Sequence, residues 1–169
     1  MGRPRATTAE AAAAAYRELA PAVLGYLRSQ RVPDAEDVLG DVFVHVARDL
    51  GRFRGDDDDL RRWVFTIAHH RAVDTWRRRR VRPRIADVPV PEIVDGTATV
   101  DVVDPGLVAA LHRLTPDQRA VVLLRFVADL SLEDTAGVMR RRVGAVKALQ
   151  HRALAALEAA LAVSDAIER

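Results

Sequence analysis

The sequence predicts an all-helical protein of two small domains joined by an extended acidic linker. Apolar residues make up 49% of the 169 residues and aromatic residues only 5%. That balance, dominated by Ala, Val and Leu, favours packed helices over a β-sandwich. Apolar side chains recur at helical spacing on both sides of a segment that shows no such period. We therefore expect domains at 9–84 and 107–163, with a linker at 85–106.

Several classes of protein are excluded or disfavoured by composition. The absence of cysteine excludes a disulfide scaffold, a cysteine zinc finger and a thiol nucleophile. No apolar run reaches the length of a membrane span, and no Leu-rich signal segment follows the N-terminus, so we expect a cytoplasmic protein without membrane insertion. No phosphate loop, nucleophile elbow or paired-His motif occurs, which indicates a non-enzyme without a cofactor. His69, His70 and Asp74 provide too few convergent ligands to predict a metal site.

Charge is distributed unevenly along a chain whose formal net charge is only +2. Residues 1–84 carry 17 Arg against 12 Asp and Glu, a net of +5. Residues 85–106 carry five acids and no base, and residues 107–169 carry nine bases and seven acids. The acidic segment also contains three prolines, as expected of an extended linker between two basic domains.

Three helices are predicted in the N-terminal domain. The first extends from about Ala9 to Ser29, with its apolar residues on one face. The second begins after Pro33, with Asp34 as its N-cap and two acids in its first turn. The third extends from Leu60 to about Arg80 and carries Trp63 on its apolar stripe, while the four aspartates before it form a loop or a helix start.

The C-terminal domain is predicted to end in a helix-turn-helix. A first helix begins at Leu107, and Thr115 begins a capping box for a second helix, from Pro116 to about Ala128. Ser131 caps a short helix that ends near Met139, and the last helix extends from Val143 to about Val163. A short capped helix, a three-arginine turn and a longer helix place the N-terminus of the last helix toward a DNA major groove.

Two groups of residues indicate nucleic-acid binding. Six arginines lie between residues 77 and 84, and four of the eight aromatic residues precede them closely. Aromatic side chains beside a basic groove suit single-stranded nucleic acid, because every base offers a face for stacking. We expect Phe53 and Phe65 to be the exposed aromatics and Trp63 to be core. The alternative for the arginines is a solvated helix end, where positive charge also suits the helix dipole.

The last helix offers a second basic surface. Lys147 and His151 are four residues apart on one face, Arg152 is adjacent, and Arg141 and Arg142 lie in the turn. The apolar residues occupy the opposite stripe, which leaves the polar face free for DNA. A helical hairpin with a solvated polar face is the alternative.

Several segments occur in an order that resembles one family. They are Asp34–Phe43, Phe53–Asp56, Trp63–Ala68, Ala72–Asp74, Leu114–Arg119, Leu130–Ala136 and Val143–Lys147. The first four resemble region 2 of sigma-70-type transcription factors, and the last three resemble region 4. With an acidic linker between them, the chain resembles a small sigma factor of the extracytoplasmic-function (ECF) type.

This resemblance implies three interfaces. A surface that docks on the β′ clamp helices of core RNA polymerase would comprise Asp37, Asp41, Val42 and Phe43. A surface that recognises and melts the promoter −10 element would comprise Phe53, Arg54, Asp56, Phe65, His70, Arg77, Arg78 and Arg80. A surface that reads the −35 element would comprise Arg141, Arg142, Lys147, His151 and Arg152. The resemblance also implies contact with the polymerase β flap and regulation by an anti-sigma factor.

Three departures from the family pattern bear on these expectations. Gly40 stands where a glutamine is usual in the polymerase-docking motif, and His70 stands where an asparagine is common in the −10 segment. Arg140 replaces the usual turn glycine, so a positive φ there would cost free energy. The alternative is a stand-alone helix-turn-helix regulator, which would leave the polymerase-docking and melting segments unexplained. A third interpretation, a helical interaction module, predicts no salt-dependent affinity for DNA.

Overall fold

A computed structural model describes residues 7–81 and 104–167, with side chains at 7–78 and 104–162. The described residues form seven α-helices and one short 3₁₀ turn, without a strand among them, as the composition predicts. The linker prediction, apart from its last three residues, lies outside the described residues. None of the described helices combines the length and apolar character that a bilayer crossing requires.

The N-terminal domain consists of three helices. They are α1 (Thr8–Ser29), α2 (Ala35–Asp49) and α3 (Asp57–Val81), with a 3₁₀ turn at Leu50–Arg52. Helix α1 begins with a capping box in which Thr7 and Glu10 exchange hydrogen bonds. Helix α3 begins three residues before the predicted start, because Asp56 and Asp59 cap it reciprocally: the Asp59 N–H donates to Asp56 Oδ1 at 2.9 Å and the Asp56 N–H to Asp59 Oδ2 at 3.3 Å.

The entry into α2 differs from the expectation in its mechanism. Asp34 is the N-cap residue, but it adopts a left-handed conformation (φ 51°) and its side chain makes no capping hydrogen bond. Asp is one of the few residue types that tolerate this conformation. Asp34 therefore contributes the turn, and Glu36 and Asp37 contribute negative charge near the positive end of the helix dipole.

The C-terminal domain consists of four helices, α4 (Pro105–Arg113), α5 (Pro116–Phe126), α6 (Leu132–Met139) and α7 (Val143–Ile167). The starts predicted for the last three are confirmed. Thr115 and Gln118 form the expected capping box, and the Ser131 side chain accepts from the Asp134 N–H. Helix α4 begins two residues before the predicted boundary, because Asp104 caps it and Pro105 suits its first turn.

The two domains are packed against each other through α3 and α6 and through α1 and α4. One continuous hydrophobic cluster contains Val64 and Ala68 of the N-terminal domain together with Leu114 and Val138 of the C-terminal domain. This contact places the first helix of the helix-turn-helix directly beside α3, the helix that carries most of the −10 residues suggested by the family resemblance.

Candidate nucleic-acid interface

An aromatic pair marks the loop that precedes α3. Phe53 and Trp63 are both partly exposed and stack with ring centroids 5.2 Å apart and an interplanar angle of 14°. Gly55 is required by close approach, since a Cβ there would lie 2.9 Å from Phe53 Cζ and 2.6 Å from Asp59 Cβ. Arg54 is exposed, and its Nη1 donates to the Phe53 carbonyl oxygen at 2.7 Å. The loop is thus a tight, solvent-facing turn supported by a stacked aromatic pair.

The structure reverses the exposure expected for two aromatics. Phe65 is fully buried and packs edge-on against Tyr26, with centroids 5.9 Å apart and an interplanar angle of 89°. Its assignment as a direct −10 contact is therefore wrong for this structure, and Trp63, expected in the core, is the partly exposed ring. The reason is that residues 63–65, 67 and 68 are all apolar, so spacing alone does not identify the solvent-facing position.

A buried hydrogen bond holds α3 against α1. Tyr26 Oη and His69 Nδ1 are 2.7 Å apart, and Tyr26 has no exposed surface. Burial, together with a smaller effect of the neighbouring His70, lowers the pKa of His69 to about 4. Burial also raises the pKa of Tyr26. Both groups are therefore neutral at physiological pH, and His69 is a structural residue.

The remaining −10 candidates of α3 differ in their surroundings. Arg77 and Arg78 are exposed, as is Asp56 before the helix, and Arg80 lies in the last turn, beyond the described side chains. His70 is half-buried against the C-terminal domain: burial lowers its pKa, and the Arg140 charge lowers it further. Arg77 lines a cleft between the two domains together with Trp76, Arg31 and His112. The surface predicted to bind the −10 element is thus partly covered by the C-terminal domain at His70 and Arg77.

The proposed polymerase-docking residues divide into two pairs. Asp37 and Asp41 are exposed on α2, whereas Val42 has no exposed surface and Phe43 retains 8%. Phe43 packs edge-on against Tyr16 at 4.9 Å. The direct contact expected of Val42 and Phe43 is therefore corrected to a packing role. Val44, which the sequence reasoning missed, is 70% exposed on the same helix.

Gly40 lies on this exposed face of α2. Apart from the backbone of its own helix turn and its two chain neighbours, nothing lies within 4 Å of the position that its Cβ would occupy, so the family's larger side chain has space there. The departure from the family pattern therefore removes a side chain from the docking face without a packing requirement for glycine.

The −35 candidates are all exposed on the helix-turn-helix. They are Arg141, Arg142, Lys147, His151 and Arg152. Val146, Leu149 and Ala153 of α7 are buried on the opposite side, which fixes the rotation of the helix about its axis. Arg141 also forms an ion pair with Asp117 at the start of α5.

The turn of the helix-turn-helix adopts a left-handed backbone conformation at Arg140, which costs free energy for any residue other than glycine. Arg140 ends α6 with φ 52° and ψ 46°, in the left-handed region. Its N–H nevertheless satisfies the last carbonyls of the helix, at Ala136 and Gly137. The usual turn geometry is therefore kept although the usual glycine is absent.

Two exposed apolar residues of the C-terminal domain were not singled out from sequence. Phe126 is 57% exposed and Val127 47% exposed at the end of α5, with the Arg125 guanidinium 6.0 Å from the Phe126 ring centre. Adjacent exposed apolar side chains are typical of protein contacts. Their adjacency at a helix end was visible in the sequence, but their exposure depends on the packing of α5.

The described residues contain no group of three or more His, Asp or Glu side chains arranged to hold a metal ion. The chain combines two helical domains, one with an aromatic and arginine-bearing helix and one with a basic helix-turn-helix, an arrangement typical of DNA-binding proteins. A family model for sigma-70 region 2 matches residues 15–82, and one for sigma-70 region 4 matches residues 106–157. The chain belongs to the sigma-70 family, in its ECF group. Members of this family are transcription initiation factors, a non-enzymatic class.

Relatives of this group resemble the chain over most of its length. The chain is 31% identical over 166 residues to the ECF sigma factor BldN of Streptomyces coelicolor. The matched segment covers 92% of this chain and 62% of BldN. The chain is 30% identical over 165 residues to the sigma factor YlaC of Bacillus subtilis, covering 91% and 94% of the two chains. The sigma factor RpoE of Bartonella quintana, solved with the anti-sigma factor NepR, shares the fold with a TM-score of 0.69 at 23% identity, over 88% and 94% of the two chains.

Proposed function

We propose that this protein binds core RNA polymerase and directs it to a set of promoters, where it reads the −35 element and melts the −10 element. The observation that carries the proposal is the solvent-facing surface of α7, where Lys147, His151 and Arg152 lie opposite a buried apolar stripe. A recognition helix in this form enters the major groove and contacts base edges.

The N-terminal domain supports the melting role. Phe53 and Trp63 provide stacked, partly exposed rings at the edge of the loop, and Arg77 and Arg78 provide positive charge further along α3. Extruding a base costs a few kcal/mol, which stacking and phosphate contacts offset. We assign base contact to Phe53 with Trp63 and retain Arg54, Asp56 and His70 as neighbouring contacts.

Polymerase contact is assigned to the exposed face of α2. Asp37 and Asp41 offer charge there, and Val44 offers an apolar side chain beside them. Phe126 and Val127 are our candidates for contact with the β flap. An anti-sigma factor is the further partner we propose, supported by the fold shared with a sigma factor solved in such a complex.

Transcription in vitro tests the proposal. Core RNA polymerase is incubated with this protein and a library of random promoter-length duplexes, and the 5′ ends of the transcripts are mapped. The expected result is discrete start sites at a fixed distance downstream of two shared sequence motifs. Equal transcript levels with and without the protein would contradict the proposal.

Variants separate the two DNA elements. Lys147→Ala with Arg152→Ala is expected to reduce initiation at promoters that depend on the upstream motif by roughly 10- to 100-fold. The control is Arg113→Ala, an exposed arginine of the same domain outside α7.

A stand-alone regulator would bind duplex DNA through α7 but would not co-purify with core polymerase.

A further inference from the structure

A cleft of about 740 Å³ lies between the two domains. Its walls come from the end of α1, from the C-terminal part of α3, and from the segment that joins α4 to α5. Small-molecule sites are commonly clefts of about 300–1,000 Å³, and domain interfaces are a preferred place for them. None of the proposed DNA or polymerase contacts lies on the wall contributed by the C-terminal domain.

The cleft carries an excess of positive charge. Arg31 and Arg77 line it and are exposed, and neither forms an ion pair with a described residue. Arg119 adds a buried charge, but its guanidinium already donates to backbone carbonyl oxygens. Asp117, which also lines the cleft, is paired with Arg141. Two guanidiniums are therefore available to an anion.

His112 lies in the same positive potential. It is half-buried in the wall of the cleft, and burial, together with the charges of Arg31 and Arg119, lowers its pKa. Burial and then the Arg31 charge also lower the pKa of Arg119. The cationic groups of the cleft thus repel one another, and an anion between them would relieve that repulsion.

The cleft also offers surface for a planar ring. Trp76 is partly exposed and lines it, as do the apolar side chains of Val73 and Pro116. An indole face stacks on any nucleobase, because every base has a π-face. Apolar and aromatic surface beside two guanidiniums suits a ligand that joins a flat ring to an anionic group.

An unpaired amide lies at the same place. Gln30 lines the cleft and is 1% exposed, and neither its amide nitrogen nor its amide oxygen has a hydrogen-bond partner of standard geometry among the described residues. The nearby Tyr26 hydroxyl is bonded to His69 instead. A buried amide without partners costs free energy, so a polar ring edge that reaches Gln30 would be stabilised there.

We propose that this cleft binds a purine nucleoside diphosphate, with the ring against Trp76 and the two phosphates at Arg31 and Arg77. One guanidinium holds one phosphate group through two parallel hydrogen bonds, so two guanidiniums match a diphosphate. A purine covers more of the indole than a pyrimidine does. The proposal does not rest on the proposed function, since residues of the cleft alone define the site.

Tryptophan fluorescence of the full-length protein measures the binding. In a Trp63→Phe background Trp76 is the only tryptophan, and titration with ADP or GDP is expected to quench it to saturation. Adenosine and pyrophosphate each carry one part of the ligand, so we expect them to displace ADP only at concentrations roughly tenfold higher or more. No saturation by millimolar ADP or GDP would overturn the proposal, as would pyrophosphate that binds as tightly as ADP.

Two matched pairs of variants locate the site. Arg77→Ala is expected to weaken ADP binding about tenfold, whereas Arg78→Ala, exposed on α3 but outside the cleft, should change it less than about twofold. On the opposite wall, His112→Ala is expected to weaken ADP binding about threefold, and Arg113→Ala, outside the cleft, should not. A nucleotide held by the basic face of α3 alone would respond equally to Arg77→Ala and Arg78→Ala and ignore His112→Ala, which would refute the cleft as its site.

Arg31→Gly separates binding from folding. It removes a phosphate contact but also relieves the left-handed backbone of Arg31, so we expect about tenfold weaker ADP binding without a loss of stability. Arg140→Gly makes the same backbone change outside the cleft and should leave ADP binding as it is. Circular dichroism monitors the fold of both variants, and equal ADP affinities in the two would contradict the phosphate contact of Arg31.

Discussion

Helices α3 and α7 are both 25 residues long and both carry predicted DNA contacts, yet the sequence predicts their exposed faces with different success. In α7 the residues assigned to DNA are exposed, opposite buried residues at 146, 149 and 153. In α3 one assigned aromatic is buried and another, assigned to the core, is partly exposed. Each of the two helices packs against three others, so the difference lies in how charged and apolar residues are distributed around each helix axis.

Helix α3 contacts α1 and α2 on its own domain's side and α6 on the other. Its run of apolar residues between 63 and 68 covers most directions around the axis, which suits a helix buried from several sides. Helix α7 is also rich in apolar residues, but Lys147, His151 and Arg152 all lie away from the buried positions 146, 149 and 153. Basic residues confined to one side identify the solvent side from sequence, whereas a nearly continuous apolar run requires knowledge of the neighbours.

The largest effect expected from this difference is at Phe65. Phe65→Ala removes a fully buried ring and its edge contact with Tyr26, which we expect to cost about 3–5 kcal/mol of unfolding free energy. Denaturant titration followed by tryptophan fluorescence measures it, because both tryptophans, Trp63 and Trp76, lie in the N-terminal domain.

Phe53→Ala is the matched control for Phe65→Ala. It loses one stacked pair, worth about 1 kcal/mol of stability, but is expected to weaken binding to a single-stranded −10 oligonucleotide on the order of tenfold. If Phe65→Ala were as stable as Phe53→Ala, the assignment of Phe65 to the core would be incorrect.

Helix starts were the most predictable part of the fold, because their signals are local. A helix start can be predicted from four residues or fewer where a capping side chain is present. Examples are Thr115 with Gln118 at α5 and Ser131 before Leu132 at α6. The capping hydrogen bonds between Asp56 and Asp59 at the start of α3 are equally local. They were not predictable, because the sequence has four consecutive aspartates and does not show which of them caps the helix. The relative placement of the domains was not predictable, since it depends on pairs such as Arg62 with Asp134, 72 positions apart.

The next effect concerns pH and the burial of α3. His69 has a pKa of about 4 in the folded protein against 6.5 as its ordinary value. As the pH falls, the unfolded chain protonates this imidazole near pH 6.5, whereas the folded protein resists protonation until about pH 4. The titration of His69 therefore costs no stability well above pH 6.5 and lowers the free energy of unfolding progressively as the pH falls toward 4. The expected loss is about 3 kcal/mol at pH 4.

His69→Gln isolates this contribution from those of His70 and His112, whose pKa values burial also lowers. The variant keeps a hydrogen-bonding side chain opposite Tyr26 but does not titrate. Denaturant midpoints between pH 4 and 7 are expected to fall less steeply in the variant. Parallel slopes for the two proteins would show that His69 titrates normally.

Arg119 tests the junction at which the two domains meet. Arg119→Met keeps most of the side-chain volume but removes the donors to carbonyls in both domains, and we expect a loss of about 2 kcal/mol. Arg113→Met, at an exposed position near the same turn, is expected to change stability by less than about 0.5 kcal/mol. Thermal unfolding followed by circular dichroism compares them, and equal midpoints would remove the structural role of Arg119.

The smallest expected effect is a gain in stability on replacing arginines with a strained, left-handed backbone conformation. One such arginine lies in each domain. Arg31 and Arg140 both adopt left-handed conformations, with φ of 55° and 52°. Glycine has no Cβ to oppose this geometry, although it adds entropy to the unfolded chain, so Arg31→Gly and Arg140→Gly are each expected to stabilise the protein by about 0.5–1 kcal/mol. Arg17→Gly, in the right-handed interior of α1, should instead cost about 1 kcal/mol. Denaturant titration distinguishes the signs, and if Arg140→Gly destabilised like Arg17→Gly, the turn of the helix-turn-helix would have to adopt another conformation in solution.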